Sequence, residues 1–415
     1  MAIRHVAALA ATIAFIAPFP LQAQNGTLTL PQALQKALTA NARLAIAERE
    51  VGMAEGRRLQ AGAWPNPQVS LEIDNAFVRD KAAETTLQLS QIIELGGKRD
   101  ARVTAALAGF DAARFQQDAA RLELLSDVAM AFVAVLAAQQ RVQTIDRHIA
   151  ALDRLTPLMQ RRVEAGASSP ADVSRTQAAV GFARVERERA RTAAAAARRD
   201  LAAQMGATAP EFATVTGQIN RIGRPPAFAT ILAAIESNPQ LLRWTAVRAQ
   251  RDAELLSARL KSVPDLQASV GWRHYRETGD NGVRLGVSVP IPVLDSNRGG
   301  IREAQEAAAK TEHERAANKL TLIAVLGRAY ETMNGALQEL DLLRRTVLPA
   351  ARKAFEVVES GYGQGRFTLL ELLDTYRLIA DGELREQEAL QSFHTAVATI
   401  EGLTGAPLVL AGARP

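Results

Sequence analysis

Gly166-Ala167-Ser168-Ser169-Pro170-Ala171-Asp172, with Thr176 beyond it, and Gly365-Arg366-Phe367-Thr368-Leu369-Leu370-Glu371, with Thr375 beyond it, stand 199 positions apart and share one plan. In each, a hydroxyl residue precedes an acid by three positions, the spacing of a capping box at a helix start. The first copy adds a first-turn proline. The glycine ahead of each cap suits the left-handed turn that ends a preceding helix. Both stretches therefore read as tips of helical hairpins. Arg99 and Arg298 keep the same separation, and Asn41-Ala42-Arg43-Leu44 matches Asn238-Pro239-Gln240-Leu241 at 197. A period this long signals one supersecondary plan used twice.

Outward from the tips, each half reads helix, strand, strand, very long helix, long helix. A helical stretch over about 31–62 is expected to stop at Trp64-Pro65-Asn66-Pro67, where two prolines forbid its continuation. Val69, Leu71 and Ile73 then alternate with Ser70, Glu72 and Asp74, and Leu87 and Leu89 with Gln88 and Ser90. After Pro264 the pattern returns, with Leu266, Ala268, Val270 and Trp272 on one parity and Gln267, Ser269, Gly271 and Arg273 on the other. Gly279-Asp280-Asn281-Gly282 turns the chain into Val283, Leu285, Val287 and Val289 alternating with Arg284, Gly286 and Ser288. This period of two predicts one hairpin per half, each strand with an apolar and a polar face. From 99 to 166 and from 298 to 365 only Pro157 and Pro349 interrupt the helical pattern. A helix of that length reaches roughly 100 Å at 1.5 Å per residue.

Composition narrows the class. With 48% hydrophobic, 5% aromatic and abundant alanine residues, the chain favours long, closely packed helices. Met1, Arg4 and His5, an apolar run over 6–19 and Leu21-Gln22-Ala23 have the form of a secretory signal peptide, cut after Ala23. The chain has no cysteine, which excludes disulfides, thiolate metal sites and a lipidated N-terminal cysteine. The net charge of +5 is spread among acids, as in Arg184-Val185-Glu186-Arg187-Glu188-Arg189, so no nucleic-acid partner is expected. The uncharged helical run at 128–138 is too short to span a bilayer, which leaves any membrane crossing to the strands. Four strands of about ten residues cannot close a barrel, and a membrane sheet tolerates no open edge. Three copies would supply twelve strands. The division expected is a signal peptide at 1–23, a first repeat at 24–206, a connecting segment at 207–226, a second repeat at 227–405 and a tail at 406–415.

Leu30-Pro31-Gln32-Ala33-Leu34 leading to Asn41, its echo Glu236-Ser237-Asn238-Pro239, and the tip Gly361-Tyr362-Gly363-Gln364-Gly365-Arg366-Phe367-Thr368 resemble the TolC-like outer-membrane efflux family. The strand-to-helix junctions, Gln91-Ile92-Ile93-Glu94-Leu95-Gly96-Gly97-Lys98-Arg99 and Pro290-Ile291-Pro292-Val293-Leu294-Asp295-Ser296-Asn297-Arg298-Gly299-Gly300, look like the CzcC branch, which serves pumps exporting divalent cations. The resemblance implies a mostly α fold with a transmembrane β part. Long helical hairpins would form a periplasmic tunnel, below a trimeric twelve-stranded barrel in the outer-membrane lipid. It implies a homotrimer partnered by a periplasmic adaptor (membrane fusion) protein and an inner-membrane resistance-nodulation-division pump, exporting cobalt, zinc or cadmium. A multidrug or organic-compound channel of the same family is the nearest alternative, and a periplasmic helical scaffold protein the alternative of another class.

The resemblance also places candidate residues. Glu371 and Asp374 share a helix face and are either an acidic ring at the periplasmic constriction or simply a capping acid and a solvated neighbour. Asp172 and Arg175 occupy the matching place, and Arg175 is expected to pair with Asp374 or Glu371 and hold the tunnel closed. Tyr362 and Arg366 either make closing contacts or pack the tip, the family's arginine often lying one position later, where this chain has Phe367. Gly166, Ser169, Gly365 and Thr368 would shape the tips that meet the adaptor. Glu72, Asp74, Arg273 and Arg284 are expected to face the barrel lumen. The five histidines show no ligand spacing and the sequence holds no phosphate loop, nucleophile elbow or zinc-protease helix, so no cofactor, tight metal site or enzymatic activity is expected.

Overall fold

The computed structural model describes residues 26–76 and 81–410. The signal-peptide reading and the end of the tail lie outside these residues. Strand β1 (Thr27–Thr29) leads into helix α1 (Leu30–Ala40), and α2 (Ala42–Ala61) follows at once. The single helix expected over 31–62 is thus two, because Asn41 takes an extended backbone and its side-chain oxygen accepts the Arg43 N–H as the N-cap of α2. Strands β2 (Gln68–Asp74) and β3 (Glu84–Ile93) form the first hairpin. Then come α3 (Lys98–Glu164), α4 (Pro170–Gln204) and the short β4 (Thr214–Thr216).

The second half repeats the order with α5 (Phe228–Ala234), a 3-10 turn, α6 (Pro239–Leu260), β5 (Leu266–Tyr275), β6 (Asn281–Ser288), α7 (Arg298–Leu342), α8 (Leu348–Gly363) and α9 (Leu369–Thr404). The uninterrupted helix expected over 298–365 is broken by a π turn at Leu343–Val347. Pro349 follows that turn and has no N–H to give, so the widened turn is where the hydrogen-bond ladder absorbs it. By contrast α3 runs through Pro157 for 67 residues, roughly 100 Å. The strands β2 and β6, at 7 and 8 residues, are shorter than expected.

Halfway along the helices lies the main core. Leu124, Val128, Phe132 and Val135 of α3 pack with Leu201, Met205, Phe212 and Leu390. Leu326 and Met333 of α7 pack with Phe393 and Ile400 of α9 and with Ile231 and Ile235. Each such burial contributes about 1.5–3 kcal/mol. Among the described residues one helix, α3, is long and apolar enough to cross a membrane by composition, once two charges are tolerated in the window. Leu124, Val128, Phe132, Val135 and Leu136 of that stretch are turned into this core.

A parallel pair that alternation over three residues does not reveal, β1 with β4, ties the residues just before α1 to the segment after α4. Gln139 of α3 secures it, accepting from the Val215 N–H at 2.8 Å.

Candidate functional site

The four long strands form one antiparallel sheet in the order β2-β3-β5-β6, so the two hairpins adjoin through β3 and β5. Register sorts the side chains. Leu71, Leu87, Trp272 and Val283 lie opposite one another across the sheet, as do Val69, Leu89, Val270 and Leu285. All eight are exposed. One position on, Glu72, Thr86, Arg273 and Gly282 form a row, and Ser70, Gln88, Gly271 and Arg284 another. Asp74 has the parity of Glu72, so all four predicted lumen residues, Glu72, Asp74, Arg273 and Arg284, share the polar face. One face is therefore apolar across its middle rows, with Thr85, Gln91, His274 and Asn281 towards its ends, and the other carries every formal charge of the four strands. On the polar face Arg273 is tied to Asp74 at 2.7 Å, to Glu84 at 3.3 Å and to the Thr86 hydroxyl at 3.0 Å. Among the described residues the outer edges of β2 and β6 have no strand partner.

The sheet is fastened to the helices by polar locks. Arg102 holds the Glu94 carboxylate with two hydrogen bonds and donates to the carbonyls of Ala61 and Ala63, while Arg99 donates to that of Gly62. In the second half Asn297 does this work, donating to the Ala258 carbonyl at 2.7 Å from a left-handed backbone. Arg298, the counterpart of Arg99, is exposed.

At the far end, Gly166 and Gly365 have φ of +70° and +75°. Ser169 with Asp172 and Thr368 with Glu371 form capping boxes. The Thr368 N–H donates to Glu371 at 2.7 Å, and this bond and the one from the Thr368 hydroxyl hold the Glu371 carboxyl below its usual pKa. Within the chain Arg175 does not reach Asp374 or Glu371, because Asp172, one turn before it on α4, takes it at 3.5 Å. Asp374 is exposed and pairs with no cation among the described residues.

Tyr362 is buried, its hydroxyl meeting the Met159 sulfur at 2.8 Å, in a cluster with Leu369 and Leu372. Arg162 lies over its ring at 4.7 Å and donates to its carbonyl at 3.2 Å. Within one chain Tyr362 therefore packs the tip and joins the two hairpins, whereas Arg366 is exposed and bonded to Gln364. Met159 and Arg162 were not singled out in the sequence, since they belong to the even helical pattern of α3.

Between tips and core, α3 and α9 enclose a polar cluster. His148 Nδ1 lies 3.0 Å from the Tyr376 hydroxyl, and Nε2, with no hydrogen-bond partner, faces Glu383 at 3.6 Å. Arg352 of α8 also reaches Glu383, at 3.1 Å. Burial holds the His148 pKa below the ordinary imidazole value despite Glu383, and pushes Tyr376 up to about 12. A lowered histidine pKa means that the unfolded chain takes up the proton first. The stabilisation is complete above about pH 6.5 and is lost as pH falls through the lowered value, by at most about 1.4 kcal/mol per pH unit. His394, half-buried and lowered by desolvation despite the Ile219 carbonyl, adds to this slope. Thermal melts between pH 8 and 5 are expected to show declining stability, with a shallower slope in His148→Gln and shallower again with His394→Gln added. Parallel slopes in all three proteins would refute the assignment.

Among the described residues no group of three or more histidine or acidic side chains is placed to hold a metal ion. The combination of a two-faced sheet with open edges and a helix of about 100 Å packed against α4, α6 and α9 is that of a membrane conduit rather than of a binding pocket.

Comparison with known proteins agrees. The chain is similar to the cobalt-zinc-cadmium resistance protein CzcC of Cupriavidus metallidurans, 30% identical over 93% of this chain and 92% of that protein. It is also similar to the nickel and cobalt resistance protein CnrC of the same organism, 26% identical over 68% of each. The open state of the Neisseria gonorrhoeae MtrE outer membrane channel superposes with a TM-score of 0.77 at 17% identity, over 91% of this chain and 89% of that one. The sequence profile described as Outer membrane efflux protein matches residues 33–207 and 230–406, both halves of the repeat. With most of its length covered by that profile and its fold shared with such channels, the chain belongs to the outer membrane efflux protein family.

Proposed function

We propose that this protein is the outer-membrane channel subunit of a tripartite efflux system, a passive exit duct for divalent heavy-metal cations of the cobalt, zinc and cadmium type. The observation that carries the channel is the sheet. Its apolar face suits lipid and its polar face a water-filled lumen, and the free edges of β2 and β6 require further copies of the chain. Three copies give a twelve-stranded barrel above a tunnel of helices, with the tips presented to a periplasmic adaptor and a resistance-nodulation-division pump. The cation class rests on similarity to CzcC and CnrC, whose names carry cobalt, zinc, cadmium and nickel. Specificity in this reading belongs to the pump, and the channel contributes only the path. A helical scaffold would have no use for the hydrocarbon face of the sheet.

Two experiments test the reading. Purified protein in planar bilayers is expected to conduct in discrete steps as a trimer, and a deletion strain to accumulate cobalt, zinc or cadmium. A soluble, non-conducting protein would overturn the channel, and unchanged metal tolerance the cargo.

The tips give a finer expectation. In a trimer Asp374 is free to form an acidic ring, whereas Glu371 is occupied by its cap. Asp374→Asn, which removes three charges per trimer, is expected to lower cation over anion permeability in reversal-potential measurements. Glu371→Gln is expected to leave selectivity unchanged and to lower the melting temperature. The reverse assignment of effects would show that Glu371 lines the constriction.

A further inference from the structure

The two strand-to-helix junctions occupy the same place in the repeat and are built in opposite ways. The first is closed by polar bonds: Glu94 to Arg102, Lys98 to Asp265 at 2.7 Å, and the Leu95 N–H to Asp265 at 3.1 Å. The second, 289–294, reads Val-Pro-Ile-Pro-Val-Leu and holds no polar side chain. Ile291, Val293 and Leu294 are 78%, 79% and 99% exposed.

We propose that this loop is a membrane-interface anchor, with lipid as its occupant, seating the periplasmic rim of the barrel in the adjoining leaflet. The inference rests on the barrel reading of the sheet. Continuity carries it. Val283, Leu285 and Val287 belong to the apolar face of β6, and Val289 and Ile291 extend their parity beyond the last paired residue, Ser288. Pro290 and Pro292 fall on the other parity and remove two N–H donors, so a neighbouring strand cannot continue its ladder here.

The loop is also held in shape. The Val293 N–H donates to the Ile291 carbonyl at 2.9 Å, and Asn297 anchors the far end through Asp295 and Ala258. The exposed hydrocarbon is therefore a fixed projection, and the exposed Arg298 beside it suits the phosphate level of a bilayer.

The absence of cysteine makes the test clean. Single variants Leu294→Cys, Leu285→Cys and Gly279→Cys are spin-labelled, reconstituted as the whole protein in liposomes, and probed by collision with oxygen, which enters lipid, and with a water-soluble nickel chelate. The oxygen-to-chelate accessibility ratio is expected to be several-fold higher at 294 than at 279 and to approach that at 285. If 285 gives the lipid signature while 294 is open to the chelate, the loop lies in water and the anchor is refuted. If 294 is closed to both probes, a neighbouring copy covers it, which refutes lipid as the occupant. If 285 itself is open to the chelate, the barrel reading fails first.

Discussion

Gly206→Ala is expected to lower the stability of the protein by roughly 3 kcal/mol, and Gly405→Ala by only about 1 kcal/mol, although both end the last helix of a repeat and stand 199 positions apart. Both have positive φ, +80° and +69°, so each alanine incurs the left-handed backbone cost. The difference lies in what the new methyl group meets. At 206 it would sit 2.5 Å from the carbonyl oxygen of Ala40 and 2.7 Å from its carbon. That backbone cannot withdraw, because Asn41 next to it is fixed by the Arg43 N–H and by its own bond to the Gln204 carbonyl at 2.7 Å. At 405 the nearest atom is Cδ1 of Leu122 at 3.4 Å, ordinary contact with the end of a flexible side chain. Asn238 makes the equivalent bond to Leu403, but the turn before it is a 3-10 helix, and none of its backbone comes within 4 Å of the added carbon. Denaturant melts of the two variants in detergent measure the difference. Equal losses would mean that the first-half helices yield where this packing says they cannot.

These asparagine locks show where the sequence was legible and where it was not. The match of Asn41 to Asn238 is visible in the chain, and Pro239 directly after Asn238 marks a helix start. Read back onto Asn41, that signal would have divided the helix expected over 31–62. The hairpins, caps and left-handed glycines were legible because each is a local property, set by parity or by residues three apart. Parity also sufficed to put Glu72, Asp74, Arg273 and Arg284 on one face, since register follows from alternation once the hairpins form.

What could not be read is what long-range packing decides. The sequence leaves Tyr362 either to make closing contacts or to pack the tip, and within the chain it is Met159 and Arg162, some 200 positions earlier, that enclose it. Arg175 differs, since the Asp172 that takes it stands three positions earlier on α4, a spacing legible in the sequence although pairing with Asp374 or Glu371 was expected. His148 lacks any partner within ligand spacing on its own helix, and its environment is assembled by α9. No period or motif announces such contacts.

Leu87→Lys and Gln88→Lys change neighbouring residues of β3 to the same side chain and are expected to have opposite fates. Leu87 lies in the row with Leu71, Trp272 and Val283, so its replacement puts an ammonium group on the hydrocarbon face in each of the copies that close the barrel. At mid-bilayer depth that costs about 2–4 kcal/mol per chain, a large share of the stability of a typical protein, and assembled trimer should be lost from the outer-membrane fraction. Gln88 lies between Ser70 and Gly271, with Arg284 beyond, in a face already lined by water-compatible groups. A lysine there meets no lipid and needs no desolvation. It should assemble at the normal level and shift the channel towards anions. Trimer recovery on unheated gels and reversal potentials in bilayers read the two effects separately. Loss of assembly in Gln88→Lys with tolerance of Leu87→Lys would place the lumen on the opposite face of the sheet. Equal tolerance would mean that neither face meets hydrocarbon, because only a lipid-facing row distinguishes adjacent residues of one strand so sharply.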